Sequence, residues 1–177
     1  SGVKLTYYRL MATGAMKKII ELLSDSQFEL IDSENYPVSG GELDSKNVDE
    51  ALEAIAKKGE DQGLSSEEAK FIAELYGSNA EKVFALKEQG AFEGLSLAES
   101  MSLRYAMEEE MTLTPVDYLL RRTNYMLFIS HRLMEIKDAV VDAMADYFDW
   151  NAATKEAYQS ELDQQIKETQ LMDLKKH

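Results

Sequence analysis

The sequence predicts an all-α protein: an N-terminal helix and a linker, then an orthogonal multi-helix domain of about seven helices. Three observations predict it. Gly and Pro number 9 and 2 in 177 residues, while the good helix formers Ala, Leu, Glu and Met are plentiful. Apolar residues recur every three or four positions along most of the chain, and no alternating strand pattern competes. A capping signature, Ser or Asn followed three residues later by Glu, stands ahead of several of these stretches.

Residues 4 to 23 read as one amphipathic helix, with Leu5, Tyr8, Ala12, Ala15, Ile19 and Leu23 at helical spacing. Thr6 is the expected cap. Gly2 to Leu5 form the entering turn, whose free N–H groups favour an anion. Gly14 is costly in a helix interior, so it implies close approach of another backbone or a tolerated weak spot. Ser24 to Leu43 carries the weakest signal for regular structure. Phe28, Leu30 and Ile31 are expected to pack locally, and Tyr36 to Gly41 reads as a linker. The boundaries drawn are 1–31, 32–43 and 44–177.

From Asp44 onward the chain is a succession of capped helices. Asn47 with Glu50 opens one that carries Val48, Leu52 and Ile55 and is expected to end at Gly59. Ser65 with Glu68 opens the next, through Ala69, Ile72, Ala73 and Tyr76, with Gly77 as its C-cap. Ser78 with Glu81 opens a third, to Gly90, and Ser96 with Glu99 a fourth, with Leu97, Met101, Tyr105 and Met107. In the fifth, Thr114 is the N-cap, Pro115 takes the first helical position and Asp117 sits at N3. Val116, Leu119 and Leu120 give it an apolar stripe. Arg121 and Arg122 follow, then a dense apolar run from Tyr125 to Ile129. This reads as a core helix, its arginines an internal ionic tie to Asp117, Glu108 or the carbonyl ends of neighbouring helices. The sixth helix runs from about Ser130 to Phe148, and Asn151 caps the seventh.

Composition excludes several functions. There is no cysteine, so disulfides, thiolate metal sites and cysteine nucleophiles are out, and a reducing compartment fits. The net charge of -14 opposes nonspecific binding to nucleic acid or anionic lipid. That charge is uneven: residues 1–23 hold Lys4, Arg9, Lys17 and Lys18 against Glu21 alone. No apolar run approaches the roughly 18 residues of a membrane span. The start at Ser1 reads as that of a processed or excised piece.

Chemistry is equally sparse. Two histidines, His131 and His177, build no zinc or di-iron motif. Glu108 to Glu110 read as a solvated helix face. The acidic stretch from Asp32 has Pro37 where a calcium loop needs glycine. No glycine-rich phosphate loop appears, and no Ser stands beside a base. On the residues alone this is a helical module without a self-contained active site, and an acidic interaction module for a basic partner is one reading of it.

Three segments together carry a resemblance. Gly2 to Arg9 (G-V-K-L-T-Y-Y-R), followed by Met11 and Ala12, resembles the last flavin-contacting turn and helix of FAD-dependent glycerol-3-phosphate oxidases and dehydrogenases. Tyr76 to Ala80 (Y-G-S-N-A), with Val83, resembles a motif of their C-terminal helical domain. Thr112 to Thr123 (T-L-T-P-V-D-Y-L-L-R-R-T) is the most specific match, with Phe148-Asp149-Trp150 downstream. The chain looks closest to the α-glycerophosphate oxidases of lactic-acid-type bacteria. Val3 departs from the pattern, where the family usually has a second glycine.

The resemblance implies that residues 1–31 are the terminal turn and helix of a flavin-binding domain, 32–43 a linker and 44–177 a C-terminal helical domain. It implies FAD as cofactor, contacted by Lys4, Leu5 and Thr6, with Lys4 at the flavin edge or the substrate-side charge. The whole enzyme would oxidise sn-glycerol 3-phosphate to dihydroxyacetone phosphate and pass electrons to oxygen or quinone. The implied partners are the missing N-terminal FAD domain and glycerol 3-phosphate, with a homo-oligomer left open and no nucleic acid. This chain alone is expected neither to bind FAD nor to turn over substrate. The implied location is cytoplasmic, or peripheral on a membrane for the dehydrogenase type. Absence of a basic amphipathic helix after residue 44 leans towards a soluble oxidase.

Overall fold

Every regular element among the described residues is helical, as the spacing predicts. The computed structural model describes residues 4–23, 29–44 and 46–174. The expectations for Gly2, Val3, Phe28 and His177 therefore lie outside the described residues, as does the Leu5 side chain.

A 3-10 turn, Leu5–Tyr7, leads into α1, Tyr8–Leu22. After the 29–44 segment come α2 (Val48–Asp61), α3 (Ser66–Tyr76), the short α4 (Ala80–Phe84) and α5 (Leu97–Glu109). A π-helical turn, Asp117–Arg122, precedes α6 (Tyr125–Phe128), α7 (Ser130–Tyr147) and α8 (Ala152–Leu174).

The domain is built around α5. All ten of its residues from Ala98 to Met107 are buried, as befits a helix without a polar face. Ala98, Met101 and Tyr105 pack with Ile72, Ala80, Val83 and Phe84 of α3 and α4. Leu103, Ala106 and Met107 pack with Tyr118, Leu119, Ile136, Val140, Met144 and Leu162. One helix thus serves two cores. The four buried polar side chains Glu99, Ser100, Ser102 and Arg104 on it are the cost of that position.

Two of the predicted capping boxes form in full, Ser65 with Glu68 and Ser96 with Glu99. Two do not. Asn47 precedes α2 without a side-chain cap bond, and α2 runs past Gly59 to Asp61. Gly59 lies inside the helix because a Cβ there would stand 2.8 Å from the Phe84 ring, so it marks close packing and not a stop. Ser78 sits in a 3-10 turn, Gly77–Asn79, where its Oγ accepts from the Glu42 N–H, and Glu81 pairs with Lys58. Thr6 likewise does not cap α1; Tyr7 occupies that position. A Cβ on Gly14 would meet nothing within 4 Å among the described residues.

The stretch read as a linker is stitched to α3. The Ser78 N–H donates to the Gly40 carbonyl at 2.9 Å, and Asn79 Nδ2 donates to Ser39 Oγ at 2.8 Å. Gly77 ends α3 as predicted, at φ +52°, and a Cβ there would collide with the Gly40 carbonyl oxygen. A glycine's backbone freedom and its missing side chain are both used at this point.

The fifth helix departs most from its reading. Thr114 Oγ1 accepts from the Asp117 N–H and Asp117 Oδ2 accepts from the Thr114 N–H, so the predicted cap is present. The following turn is wider than an α-turn, closed by the Thr123 N–H on the Tyr118 carbonyl at 3.0 Å. It buries Tyr118 and Leu119, and Val116 just ahead of it is buried too. The apolar run after the arginines then splits: Tyr125 and Met126 are buried, whereas Leu127, Phe128 and Ile129 are exposed.

Candidate functional site

The predicted cofactor contacts sit on the turn that starts α1. The Tyr7 N–H bonds the Lys4 carbonyl at 3.0 Å, which closes a single 3-10 turn with Lys4 and Thr6 exposed. The first N–H groups of any helical start lack intrahelical acceptors. An exposed ammonium beside them suits an anionic group. Lys4, Leu5 and Thr6 share this one turn.

No residue of α1, the helix behind the turn, is buried. Tyr8, Leu10, Met11, Met16, Ile19 and Leu22 are exposed, although an amphipathic helix normally turns its apolar face to a core. Its contacts in the chain are slight: the Arg9 guanidinium donates to the Ser33 carbonyl, and a shallow apolar groove lies between Tyr8, Ala12, Ile31, Tyr36 and Val38. Ile31 packs only at that groove's edge and stays 68 % exposed.

Arg121 and Arg122 form the expected ties, in a different setting. Arg121 pairs with Asp117 four residues earlier, and Arg122 Nη2 donates to the Glu110 carbonyl at the end of α5 at 2.6 Å. Their side chains keep 62 % and 41 % of their surface exposed. These are surface ion pairs and not an internal tie. Burial raises the Asp117 carboxyl, but the Thr114 hydroxyl, the Leu113 and Thr114 N–H groups and Arg121 outweigh it and hold it below the usual carboxylate range.

The internal ion pair is one that spacing does not reveal. Glu99 is 7 % exposed and lies against Arg132, thirty-three residues on. Tyr125 donates to the same carboxylate, and Tyr118 donates to the Glu99 carbonyl at 3.2 Å. Tyr76 shares a hydrogen bond with Ser102 Oγ at 2.8 Å one turn further along α5. Burial pushes all three phenols above their ordinary value. Each element of this network donates or accepts within the core, so it holds helices together and presents no free nucleophile or base. Among the described residues no group of three His, Asp or Glu is placed to hold a metal, and no helix is long and apolar enough to cross a membrane. The signal for Glu99 in the sequence is real but incomplete: it reads as the closing half of a capping box, which it also is.

Residues 31–155 match the family model described as the C-terminal domain of alpha-glycerophosphate oxidase. The chain is 48% identical to alpha-glycerophosphate oxidase of Streptococcus pneumoniae serotype 4, over 99% of this chain and 29% of that protein. It is 50% identical to alpha-glycerophosphate oxidase of Enterococcus casseliflavus, again over 99% of this chain and 29% of the relative. Among solved structures it is similar to the glycerol-3-phosphate dehydrogenase from Bacillus halodurans complexed with FAD. That likeness has a TM-score of 0.85 and 31% identity, and covers 94% of this chain and 34% of the other. The chain thus spans under a third of the length of these curated relatives.

Proposed function

This chain belongs to the family of alpha-glycerophosphate oxidase C-terminal domains, and from that premise we propose that it is the helical end of an FAD-dependent enzyme that oxidises sn-glycerol 3-phosphate to dihydroxyacetone phosphate. The observation that carries the proposal is identity near one half over 99% of the chain to proteins of that name. Bound FAD would supply the two-electron oxidation. The chain's own contribution is positional. Lys4 and the N–H groups of the α1 start would face the flavin edge, where a cation and a helix N-terminus stabilise the negative charge of the reduced ring. Thr6 and Leu5 would complete that contact.

The catalytic groups lie in the remainder of the polypeptide, which is also the partner of α1. By itself the chain holds one wall of a cofactor site, so it is inactive and flavin-free. Oxygen is the proposed electron acceptor, as in the relatives' name, with the enzyme in the cytoplasm; quinone and a peripheral membrane position belong to the dehydrogenase alternative. A homo-oligomer is compatible with this role. The stand-alone acidic interaction module finds nothing in its favour beyond the net charge.

The test uses both lengths of protein. The full-length polypeptide is expected to purify yellow and to release hydrogen peroxide in step with glycerol 3-phosphate consumed. The 177-residue chain is expected to purify colourless. A full-length protein that reduces quinone but not oxygen sinks the oxidase assignment. Turnover by the short chain sinks the proposed division of labour.

A further inference from the structure

Acidic residues are spread so evenly that carboxylate-free stretches of this chain are short. Two are long, residues 1–20 and 118–134, and no other exceeds eight residues. The first holds most of α1. The second runs from the π-turn through α6 into α7, and contains Arg121, Arg122, His131 and Arg132. Half of the exposed large apolar side chains among the described residues lie in these two stretches. Beyond residue 44, half of the exposed large apolar side chains among the described residues fall within eight positions: Leu127 at 53 %, Phe128 at 79 %, Ile129 and Met134. Leu127, Phe128 and Met134 rim a groove of about 400 Å³ floored by Met126, Leu133 and Ile166.

The coincidence has a physical reason. A carboxylate trapped under a partner without a counter-charge loses its hydration, which is costly. A surface that is to be covered therefore excludes acidic residues, and in so acidic a chain their exclusion stands out. Exposed apolar clusters of this kind mark contact surfaces.

We propose that the surface formed by Leu127, Phe128, Ile129 and Met134, at the α6–α7 corner, is a second seat for the N-terminal remainder of the polypeptide, separate from α1. This rests on the reading that the chain is the C-terminal part of a longer enzyme. The remainder is the occupant for three reasons. The chain spans 29% of its relatives, whose remainder is more than twice its size, and on this reading a body of that size is attached. That body already has to cover α1, the other stretch of the same character. Being covalently linked, it docks without the entropic cost of a separate molecule. A second copy is disfavoured, because each copy carries -14 and a two-fold contact would set the same arginine-flanked patch against itself. An anionic lipid surface is disfavoured too, since Arg121 and Arg122 are already held by Asp117 and Glu110.

Single-cysteine labelling tests the seat. Phe128→Cys is made in the full-length protein and in the 177-residue chain, which has no cysteine of its own. Glu53→Cys on α2 is the exposed control. Maleimide labelling of each position is followed by peptide mass. Position 128 is expected to react as fast as the control in the short chain. In the full-length protein it is expected to react more slowly by roughly tenfold or more, as for a site reached only by local opening, at every protein concentration. Equal rates in both lengths overturn the proposal. Protection that disappears on dilution, or that arises only with anionic vesicles, overturns it in favour of a second copy or a membrane. Flavin content and glycerol 3-phosphate oxidation are measured on the same preparation. Protection without either sinks the enzymatic reading alone, and an active flavoprotein without protection sinks the docking seat alone.

Discussion

Arg132 on α7 clasps Glu99 on α5 with two nitrogens, Nε on Oε1 at 2.8 Å and Nη2 on Oε2 at 2.6 Å. The carboxylate also accepts from the Ser96 N–H at 2.8 Å, so one side chain both caps α5 and ties it to α7. Removing the guanidinium leaves a buried carboxylate without its cation. Arg132→Met is expected to cost roughly 3 kcal/mol, the low end for a broken buried pair, because Arg132 itself keeps 31% of its surface. In a domain of this size that lowers Tm by roughly 6–12 °C. Arg121→Ala, which breaks a mostly exposed pair, is expected to stay within about 0.5 kcal/mol. Thermal melts of the two variants check the ranking, and the reverse order contradicts the assignment of the internal tie.

The same pair sets an acid limit. Burial pushes the Glu99 carboxyl up, but Arg132 and the Ser96 cap outweigh it, and the folded carboxyl titrates below the ordinary 4.5. A carboxyl lowered on folding stabilises the protein fully above its unfolded value. That stability is lost as pH falls from about 4.5 down through the folded value. Asp117 acts with the same sign from the ordinary 3.8 downward. Denaturant midpoints measured from neutral pH to acid are expected to fall in this window. Arg132→Met is expected to flatten the fall, since its Glu99 has lost the largest lowering contact. An unchanged acid slope in that variant contradicts the mechanism.

The helices were legible because their signals are local. Ser65, Ser96, Thr114 and Asn151 cap within three residues, and side-chain spacing needs only one helix to be read. What stayed hidden depends on pairs far apart. Gly40 and Gly77 each look like ordinary turn glycines, yet a Cβ on Gly40 would stand 2.6 Å from the Tyr76 carbonyl. Nor does a 3.6-residue pattern foretell a π-turn or the outward swing of Phe128. The α1 turn was recognisable as a motif because its residues are contiguous in the chain.

The glycine contact gives its own prediction. Gly77→Ala forces a side chain into the Gly40 carbonyl at a backbone angle that L residues rarely adopt. The collision costs on the order of 1–3 kcal/mol and falls on the docked segment, not on either core. Limited proteolysis is therefore expected to cut residues 33–44 faster in Gly77→Ala, while the helical signal persists. Equal cleavage of both proteins contradicts the stitching of this segment to α3.

Met111 offers the opposite sign. It follows α5 at φ +54°, where the Thr112 N–H reaches back to the Ala106 carbonyl at 3.1 Å, and its side chain is 82% exposed. This is the left-handed closing position of a helix, which favours glycine. Met111→Gly is expected to stabilise the 177-residue chain by about 0.5–1 kcal/mol, seen as a higher denaturant midpoint. A loss of stability means that the exposed side chain makes contacts that its 82% exposure denies.

Lys4 separates function from folding. Its side chain is exposed, so Lys4→Ala is expected to leave the melting of the 177-residue chain unchanged. In the full-length enzyme the same substitution removes the proposed cation at the flavin edge. The anionic reduced ring then loses more stabilisation than the oxidised one. The flavin midpoint potential is expected to fall, and kcat/KM for glycerol 3-phosphate to drop roughly tenfold or more, equivalent to about 1.4 kcal/mol of transition-state stabilisation. Lys4→Arg, which keeps the charge, is expected to recover most of both. A potential that stays put while KM alone rises moves Lys4 from the flavin edge to the substrate's phosphate. Loss of neither removes it from the site, and leaves the α1 start a packing element of the flavin-binding half.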